Sequence, residues 1–86
     1  MASCKLLITR SASQELEDIP GRDRNRVIAK IRALEDNPRP AGAEKLTGDD
    51  KYRLRQGDYR ILYEIKDRQL IVTVVMIGNR RAVYRR

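Results

Sequence analysis

The sequence predicts an α+β protein with an N-terminal strand, an antiparallel helix pair and a C-terminal antiparallel three-stranded meander. Apolar residues recur at helical spacing between residues 12 and 36, and polar and apolar residues alternate at strand spacing after residue 51. A loop rich in proline and glycine separates the two patterns. At 86 residues the chain is long enough for one modest core, so we expect a single domain over residues 1–86 with the helices on one face of the sheet.

The N-terminal half contains the first strand and both helices. The apolar run at residues 4–9 predicts a strand, and Ser11 is expected to cap a helix over residues 12–19. A second apolar stripe at helical spacing predicts a helix over residues 22–36. That helix ends before Pro38, because the residue preceding a proline avoids the helical region.

The C-terminal half contains the meander. Residues 37–50 hold two of the three prolines and two of the five glycines, and are predicted to form a loop. Strands are predicted over residues 52–56 and 59–65, joined at Gly57 by a tight hairpin turn because glycine accepts a positive φ. After a further turn, residues 70–77 are apolar on both faces, which predicts a central strand covered on each side.

Positive charge is the strongest compositional signal. The net charge is +7, and residues 44–86 carry 11 basic and 6 acidic side chains, against 8 and 6 in residues 1–43. Four arginines and no acidic residue follow Gly78. This balance favours a nucleic acid or an acidic protein as the partner, with a solvated basic surface as the plain alternative.

Several classes of function are disfavoured by the residues that the chain lacks. It has no histidine and one cysteine, Cys4, so the usual nitrogen and sulfur metal ligands and a Ser-His-Asp triad are missing, and we expect no metal site. Cys4 cannot form an internal disulfide. The longest apolar run is too short to span a membrane and the N-terminus lacks the pattern of a signal peptide, so we expect a cytoplasmic protein.

A row of arginines is predicted on one face of the meander. Side chains at i and i+2 share a face of a strand, so Arg53 and Arg55 point one way and Leu54 the other. Guanidinium groups bind phosphodiesters, and tyrosine rings of the same segment would stack a base. RNA is therefore the first substrate to consider.

Two motifs in this region also resemble a known family. Tyr-Arg-Leu-Arg-x-Gly-Asp-Tyr-Arg-x-x-Tyr at residues 52–63, a hydrophobic strand, and Gly-x-Arg-x-x-Val-Tyr at residues 78–84 are similar to the RelE type of the RelE/ParE toxin superfamily. The resemblance covers nearly the whole chain. It implies a RelE-like fold and the toxin of a type II toxin–antitoxin system.

The resemblance also implies an activity and its partners. RelE-type toxins enter the ribosomal A site and cut the bound mRNA by attack of a ribose 2′-hydroxyl on the neighbouring phosphorus, with no metal or organic cofactor. The expected partners are the ribosome, mRNA and a cognate acidic antitoxin that forms a hetero-oligomer with the toxin. No membrane partner is expected.

Three residues match the catalytic positions of the family. Arg60 is expected to hold the scissile phosphate, with a surface ion pair to Glu64 as the alternative. Arg80 is expected to stabilise the transition-state charge, or else only to anchor a phosphate. Tyr84 is expected to stack on a base or orient the 2′-hydroxyl, with an apolar cap on the helices as the alternative.

Five more basic residues are expected to bind substrate. Arg53 and Arg55 occupy positions where the best-known members carry lysines, and since arginine does not release its proton at neutral pH, we assign them to phosphate binding. Lys45, Lys51 and Arg81 are expected to make peripheral contacts to ribosomal RNA, with ordinary solvation as the alternative.

Two other functions remain open from the sequence. A ParE-like toxin of the same fold would inhibit DNA gyrase by binding, without cutting RNA. A basic protein that only binds nucleic acid or the ribosome would show no cleaved product and a strong salt dependence.

Overall fold

One mixed β-sheet forms the centre of the fold, and the computed structural model describes residues 4–46 and 50–79. In spatial order the described strands are β1 (Lys5–Ile8), β5 (Ile71–Asn79), β4 (Tyr59–Lys66), β3 (Lys51–Gln56) and β2 (Glu44–Lys45). Strand β1 pairs parallel with β5, and the other neighbours pair antiparallel. The predicted α+β fold, with a first strand, two helices and a meander, is confirmed. The short edge strand β2 lies inside the segment predicted as a loop.

Two helices, α1 (Arg10–Glu17) and α2 (Gly21–Ala33), follow β1. The prediction that Ser11 caps α1 is wrong, because the Oγ1 atom of Thr9 accepts a hydrogen bond from the Ala12 N–H at 3.1 Å. The same hydroxyl donates to the Val75 carbonyl at 3.0 Å, so the contact with β5 decides where the helix begins. Neither helix, nor any other in the described part of the chain, is long and apolar enough to cross a membrane.

The core lies between the two helices and one face of the sheet. Helix α1 packs on β5 and α2 packs on β3. The buried apolar side chains are Ala12, Ile19, Val27, Ile31, Leu34, Tyr52, Leu54, Tyr59, Ile61, Tyr63, Ile65, Val72, Val74 and Ile77. The prediction that the last strand is covered on each side is wrong for the described residues, because both helices lie on the same face and Met76 on β5 is 51% exposed.

The hairpin between β3 and β4 turns at Gly57 as predicted. Gly57 has φ +60°, a conformation that costs other residues energy. Positive φ at the first of two turn residues is typical of a type II′ hairpin turn.

A polar and aromatic cluster joins the segment after α2 to the sheet. The rings of Tyr52 and Tyr63, directly opposite each other on β3 and β4, stack with their centroids 5.7 Å apart. The Tyr63 hydroxyl donates to the Pro38 carbonyl at 2.8 Å. Arg39 donates through Nε to the Tyr52 hydroxyl at 3.0 Å, and through both Nη atoms to the carboxylate of Asp67 at 3.0 and 2.8 Å. We call these five residues the Arg39 cluster.

Asp67 and Tyr63 are two groups of the Arg39 cluster that have shifted pKa values. Hydrogen bonds from Arg39 lower the pKa of the Asp67 carboxyl. Burial of the Tyr63 ring, helped by the neighbouring Tyr52, raises the pKa of the Tyr63 hydroxyl to about 12. The folded protein therefore holds the Tyr63 proton in a pH range where an unfolded chain releases it.

Replacing Tyr63 with phenylalanine should lower stability at neutral pH. It should also remove part of the stability loss that the native protein undergoes at alkaline pH. Without the hydroxyl the Pro38 carbonyl loses its hydrogen bond, so we expect the free energy of unfolding at pH 7 to fall by about 1 kcal/mol. In the native protein, stability falls as the pH rises from about 10, where unfolded tyrosine ionises, to about 12. Tyr63→Phe lacks this loss. Urea titrations at a series of pH values should therefore show that the difference in unfolding free energy between the native protein and the variant shrinks above pH 10. A constant difference across that range would contradict the assignment.

Candidate functional site

The arginines of β3 and β4 lie on the face of the sheet opposite the helices. On β3, Arg53 and Arg55 alternate with the buried Leu54, and on β4, Arg60 precedes the buried Ile61. The predicted alternation is therefore confirmed for these strands. Neither of the two described helices covers this side, and we call it the open face.

Two neighbouring rows of residues cross the open face, one residue from each strand. The first row contains Glu44, Arg53, Leu62 and Met76. The second row contains Arg55, Arg60 and Gly78. Arg60 therefore lies between another arginine and a residue without a side chain.

Arg60 lies in an electrostatically unfavourable position. Arg55 is directly opposite on the neighbouring strand, and like charges at such positions repel each other. Within residues 4–46 and 50–79, Arg60 makes no ion pair. Glu64, the expected partner if Arg60 formed a surface ion pair, lies instead 3.7 Å (Oε1 to Nζ) from Lys66. An anion bound between Arg55 and Arg60 would relieve the repulsion.

Arg53 is held by Glu44, a carboxylate outside the set of predicted site residues. Its Nη2 atom donates to Oε2 of Glu44 at 3.2 Å. The Nε atom of Arg53 is shielded from solvent and has no hydrogen-bond partner among the described residues. Glu44 belongs to a strand of two residues, which is too short to show a periodic pattern, so no sequence signal placed it beside the arginines.

A cleft of about 360 Å³ opens where the two rows meet. Its lining combines two guanidinium groups with apolar side chains and a glycine. The lining residues are Leu46, Arg53, Arg60, Leu62, Met76, Gly78 and Asn79. The cleft can therefore bind an anionic group and an apolar or flat group side by side.

The two predicted lysine contacts lie in different places. Lys51 is exposed on the open face, opposite Glu64 and one row away from Arg53. Lys45 is paired with Tyr52, whose side chain points to the helices, and its charge helps to lower the pKa of Asp67. The structure therefore brings Lys51 to the arginines and does not bring Lys45 there.

Three predicted site residues, Arg80, Arg81 and Tyr84, lie outside the described residues. Their roles stay predictions.

The expectation that tyrosine rings lie beside the arginines is wrong for three of the four tyrosines. Tyr52, Tyr59 and Tyr63 are all buried on the helix side of the sheet. Because side chains alternate along a strand, residues one position from an arginine lie on the opposite face. These tyrosines belong to the core.

The family of this chain is shown by sequence comparison. Residues 6–84 match the family described as ParE toxin of type II toxin-antitoxin system, parDE. The chain belongs to this family. It is a type II toxin of the RelE/ParE superfamily, which confirms the resemblance seen in the motifs. A search of curated proteins found no match.

Solved structures similar to this toxin include RelE proteins from archaea and bacteria. RelE in an archaeal RelE–RelB complex from Pyrococcus horikoshii is 25% identical, with a TM-score of 0.80 over 91% of the toxin and 96% of that chain. A chain of a RelBE toxin–antitoxin complex from Mycobacterium tuberculosis is 23% identical, with a TM-score of 0.79 over 91% and 99%. Isolated Escherichia coli RelE is 20% identical, with a TM-score of 0.79 over 90% and 84%. The last two similarities concern the fold alone.

Removing the Arg60 charge should not destabilise the fold. Arg60→Gln ends the repulsion with Arg55, so we expect the free energy of unfolding to stay equal or rise by about 0.2–1 kcal/mol in urea titrations at low salt, where the repulsion is not screened. As a control on the same strand, Ile61→Val removes a fully buried methyl group and should lower stability by about 1 kcal/mol. A loss in Arg60→Gln as large as that in Ile61→Val would show that Arg60 is needed for folding.

Proposed function

We propose that this toxin is a ribosome-dependent mRNA interferase, which cuts mRNA in the ribosomal A site and so inhibits translation. The observation that carries the proposal is the position of Arg60, which lies on the open face beside Arg55 and has no ion pair within the described residues. A guanidinium in this position is ready to bind a phosphate. The motif that contains Arg60 also resembles the RelE type.

The proposed reaction is the attack of a ribose 2′-oxygen on the neighbouring phosphorus. The new P–O2′ bond forms as the bond to the 5′-oxygen breaks, which gives a 2′,3′-cyclic phosphate and, after protonation, a 5′-hydroxyl. Arg60 holds the scissile phosphate, and Arg80 supports the charge that grows on its oxygens. Arg53 lines the same cleft and contacts this phosphate from the other side, and Arg55 and Lys51 bind the flanking phosphates. No step uses a metal or an organic cofactor.

The attack also requires an acceptor for the 2′-hydroxyl proton, and arginine is unsuited to this role because it stays protonated at neutral pH. Glu44 is the carboxylate that the structure places in the same row as Arg53, with its oxygen 3.2 Å from the guanidinium. We assign it as the proton acceptor. Tyr84 is assigned to orient the 2′-hydroxyl or stack on a base.

The proposed partners follow from the charge of the open face. An antitoxin with an acidic segment would cover the arginines and form a hetero-oligomer with the toxin, and coupled folding of such a segment buries additional surface. One of the similar structures is a RelE–RelB complex, which supports an antitoxin partner. Action on translating ribosomes places the toxin in the cytoplasm.

A DNA gyrase inhibitor is the second candidate function. The observation that favours it is the description of the matching family as ParE toxins. The fold does not choose between the two functions, because function depends on the site that a fold carries.

Primer extension on a defined mRNA, with and without 70S ribosomes whose A site is empty, tests the proposal. We expect cuts within the A-site codon only when ribosomes are present, and a loss of these cuts in Arg60→Ala and in Arg80→Ala. Cleavage of free RNA at the same rate, or full activity in both variants, would contradict the proposed site.

An intact message in every reaction would contradict the interferase, and a supercoiling assay then separates the alternatives. Inhibition of gyrase by the pure protein would establish the second candidate. Salt-dependent binding to ribosomes without cleavage or gyrase inhibition would establish a protein that only binds.

The role of Glu44 is tested by Glu44→Gln. This change keeps the size of the side chain and removes the basic oxygen, so we expect the cleavage rate to fall by about 10²–10⁴-fold with little change in KM. Glu64→Gln is a matched control because Glu64 lies on the open face one row away, opposite Lys51, and its variant should cleave normally. Equal activity of the two variants would contradict the assignment of Glu44.

A further inference from the structure

Gly78 is a glycine that the described part of the fold does not require. Its φ is not in the left-handed region, whereas Gly42 and Gly57, among the described glycines, have positive φ values. A Cβ atom built on Gly78 would meet no heavy atom within 4 Å in the described part of the chain. Glycine in a strand interior lowers β-sheet stability, and it often marks a place where a ligand approaches the backbone closely.

The space above Gly78 is part of the cleft. Gly78 lies directly opposite Arg60, and both residues line the cleft. A side chain at this position would project over the open face beside the guanidinium. Among the described residues, its absence leaves room for a group bound next to Arg60.

The neighbouring row supplies the apolar part of the cleft, with Arg53 beside it. Leu62 and Met76 are directly opposite each other on β4 and β5, one row away from Arg60 and Gly78, and Leu46 lines the same cleft. Met76 is 51% exposed, and its flexible thioether side chain adapts to flat or irregular partners. Two residues along a strand span about 6.8 Å, which is similar to the separation of phosphate and base in one nucleotide.

We propose that this cleft is a nucleotide subsite in which the phosphate lies between Arg53 and Arg60 and the base lies flat on Leu62 and Met76, beside the open space at Gly78. The proposal rests on the proposed function, since it assigns part of the substrate to the same site. Charge complementarity favours a nucleotide, because guanidinium groups flank an apolar floor. Leu62 and Met76 offer contact area and no side-chain hydrogen bonds, so stacking area on this floor favours purines over pyrimidines.

The test is binding of a short RNA to the free toxin, measured by NMR. The probe is a trinucleotide with 2′-O-methyl groups, which cannot be cleaved, with adenine, uracil or no base at its central position. The chain has two methionines, Met1 and Met76, so the Met76 methyl signal is identified with one variant. We expect this signal to shift with the adenine probe and not with the abasic probe, and the abasic probe to bind at least about fivefold more weakly.

Gly78→Ala tests whether the nucleotide needs the space beside Gly78. It should keep or raise the thermal unfolding midpoint and weaken binding of the adenine probe by about tenfold, since the methyl group occupies the space that the nucleotide needs. Gly21→Ala, at the first residue of α2 where the nearest atom to an added Cβ is 4.0 Å away, is the matched control and should bind normally. If Gly78→Ala proves unstable, Met76→Gln replaces it, with loss of the base dependence as the expected result.

Several results would overturn the subsite. These are equal binding of the adenine and abasic probes, a Met76 methyl signal that does not shift with the adenine probe, and unweakened binding of the adenine probe by Gly78→Ala. A Met76 shift with an acidic peptide and none with RNA would assign the cleft to a protein partner instead. Failure of the proposed function gives a different result. Base-dependent binding without ribosomal cleavage would contradict the interferase and support the subsite. Ribosomal cleavage by a toxin that binds the adenine and abasic probes equally would support the interferase and contradict the subsite.

Discussion

The pairing of Tyr52 with Tyr63 on the helix side of the sheet sets the register between β3 and β4, and the open face depends on that register. Side chains alternate along a strand, so a slip of one residue would turn Arg53 or Arg60 into the core and bring a tyrosine to the open face. Stacking of the two rings, and the hydrogen bond from Tyr63 to Pro38, oppose such a slip.

The two faces of the sheet contribute differently to the stability of the fold. The helix side is apolar and closely packed, with Ile61, Tyr63 and Val74 fully shielded from solvent. The open face contains features that lower stability: the Arg55–Arg60 repulsion, the shielded Nε of Arg53 without a described partner, and the exposed Met76. A bound anion or partner would offset each of these features, which is typical of a binding surface.

The chemistry of the open face also limits how the toxin can act. Guanidinium groups bind phosphates and stabilise negative charge at neutral pH, but they do not exchange protons there. Any proton transfer at this face would therefore need another group, and in the described structure the carboxylate of Glu44 lies beside Arg53. The fold, including the sheet, is similar to that of RelE. The side chains on the sheet decide which chemistry it supports.

Local patterns in the sequence were sufficient for much of the fold. The helix pair, the hairpin at Gly57 and the alternation of Arg53 and Arg60 with buried residues were all predicted, because helical and strand periodicities and glycine φ preferences act over a few residues. The motif around Arg60 also pointed to the superfamily. Charge and composition pointed to an anionic partner.

Contacts between distant segments decided the rest. Thr9 caps α1 because its hydroxyl also reaches Val75, 66 residues away along the chain, and no local signal distinguishes it from Ser11. Glu44 joins the site through a two-residue pairing with β3. Which face of β5 stays open depends on where both helices pack, since a strand that is apolar on both sides gives no preference of its own. Periodicity therefore predicts which residues share a face, and only tertiary packing decides which face is covered and which distant residues meet there.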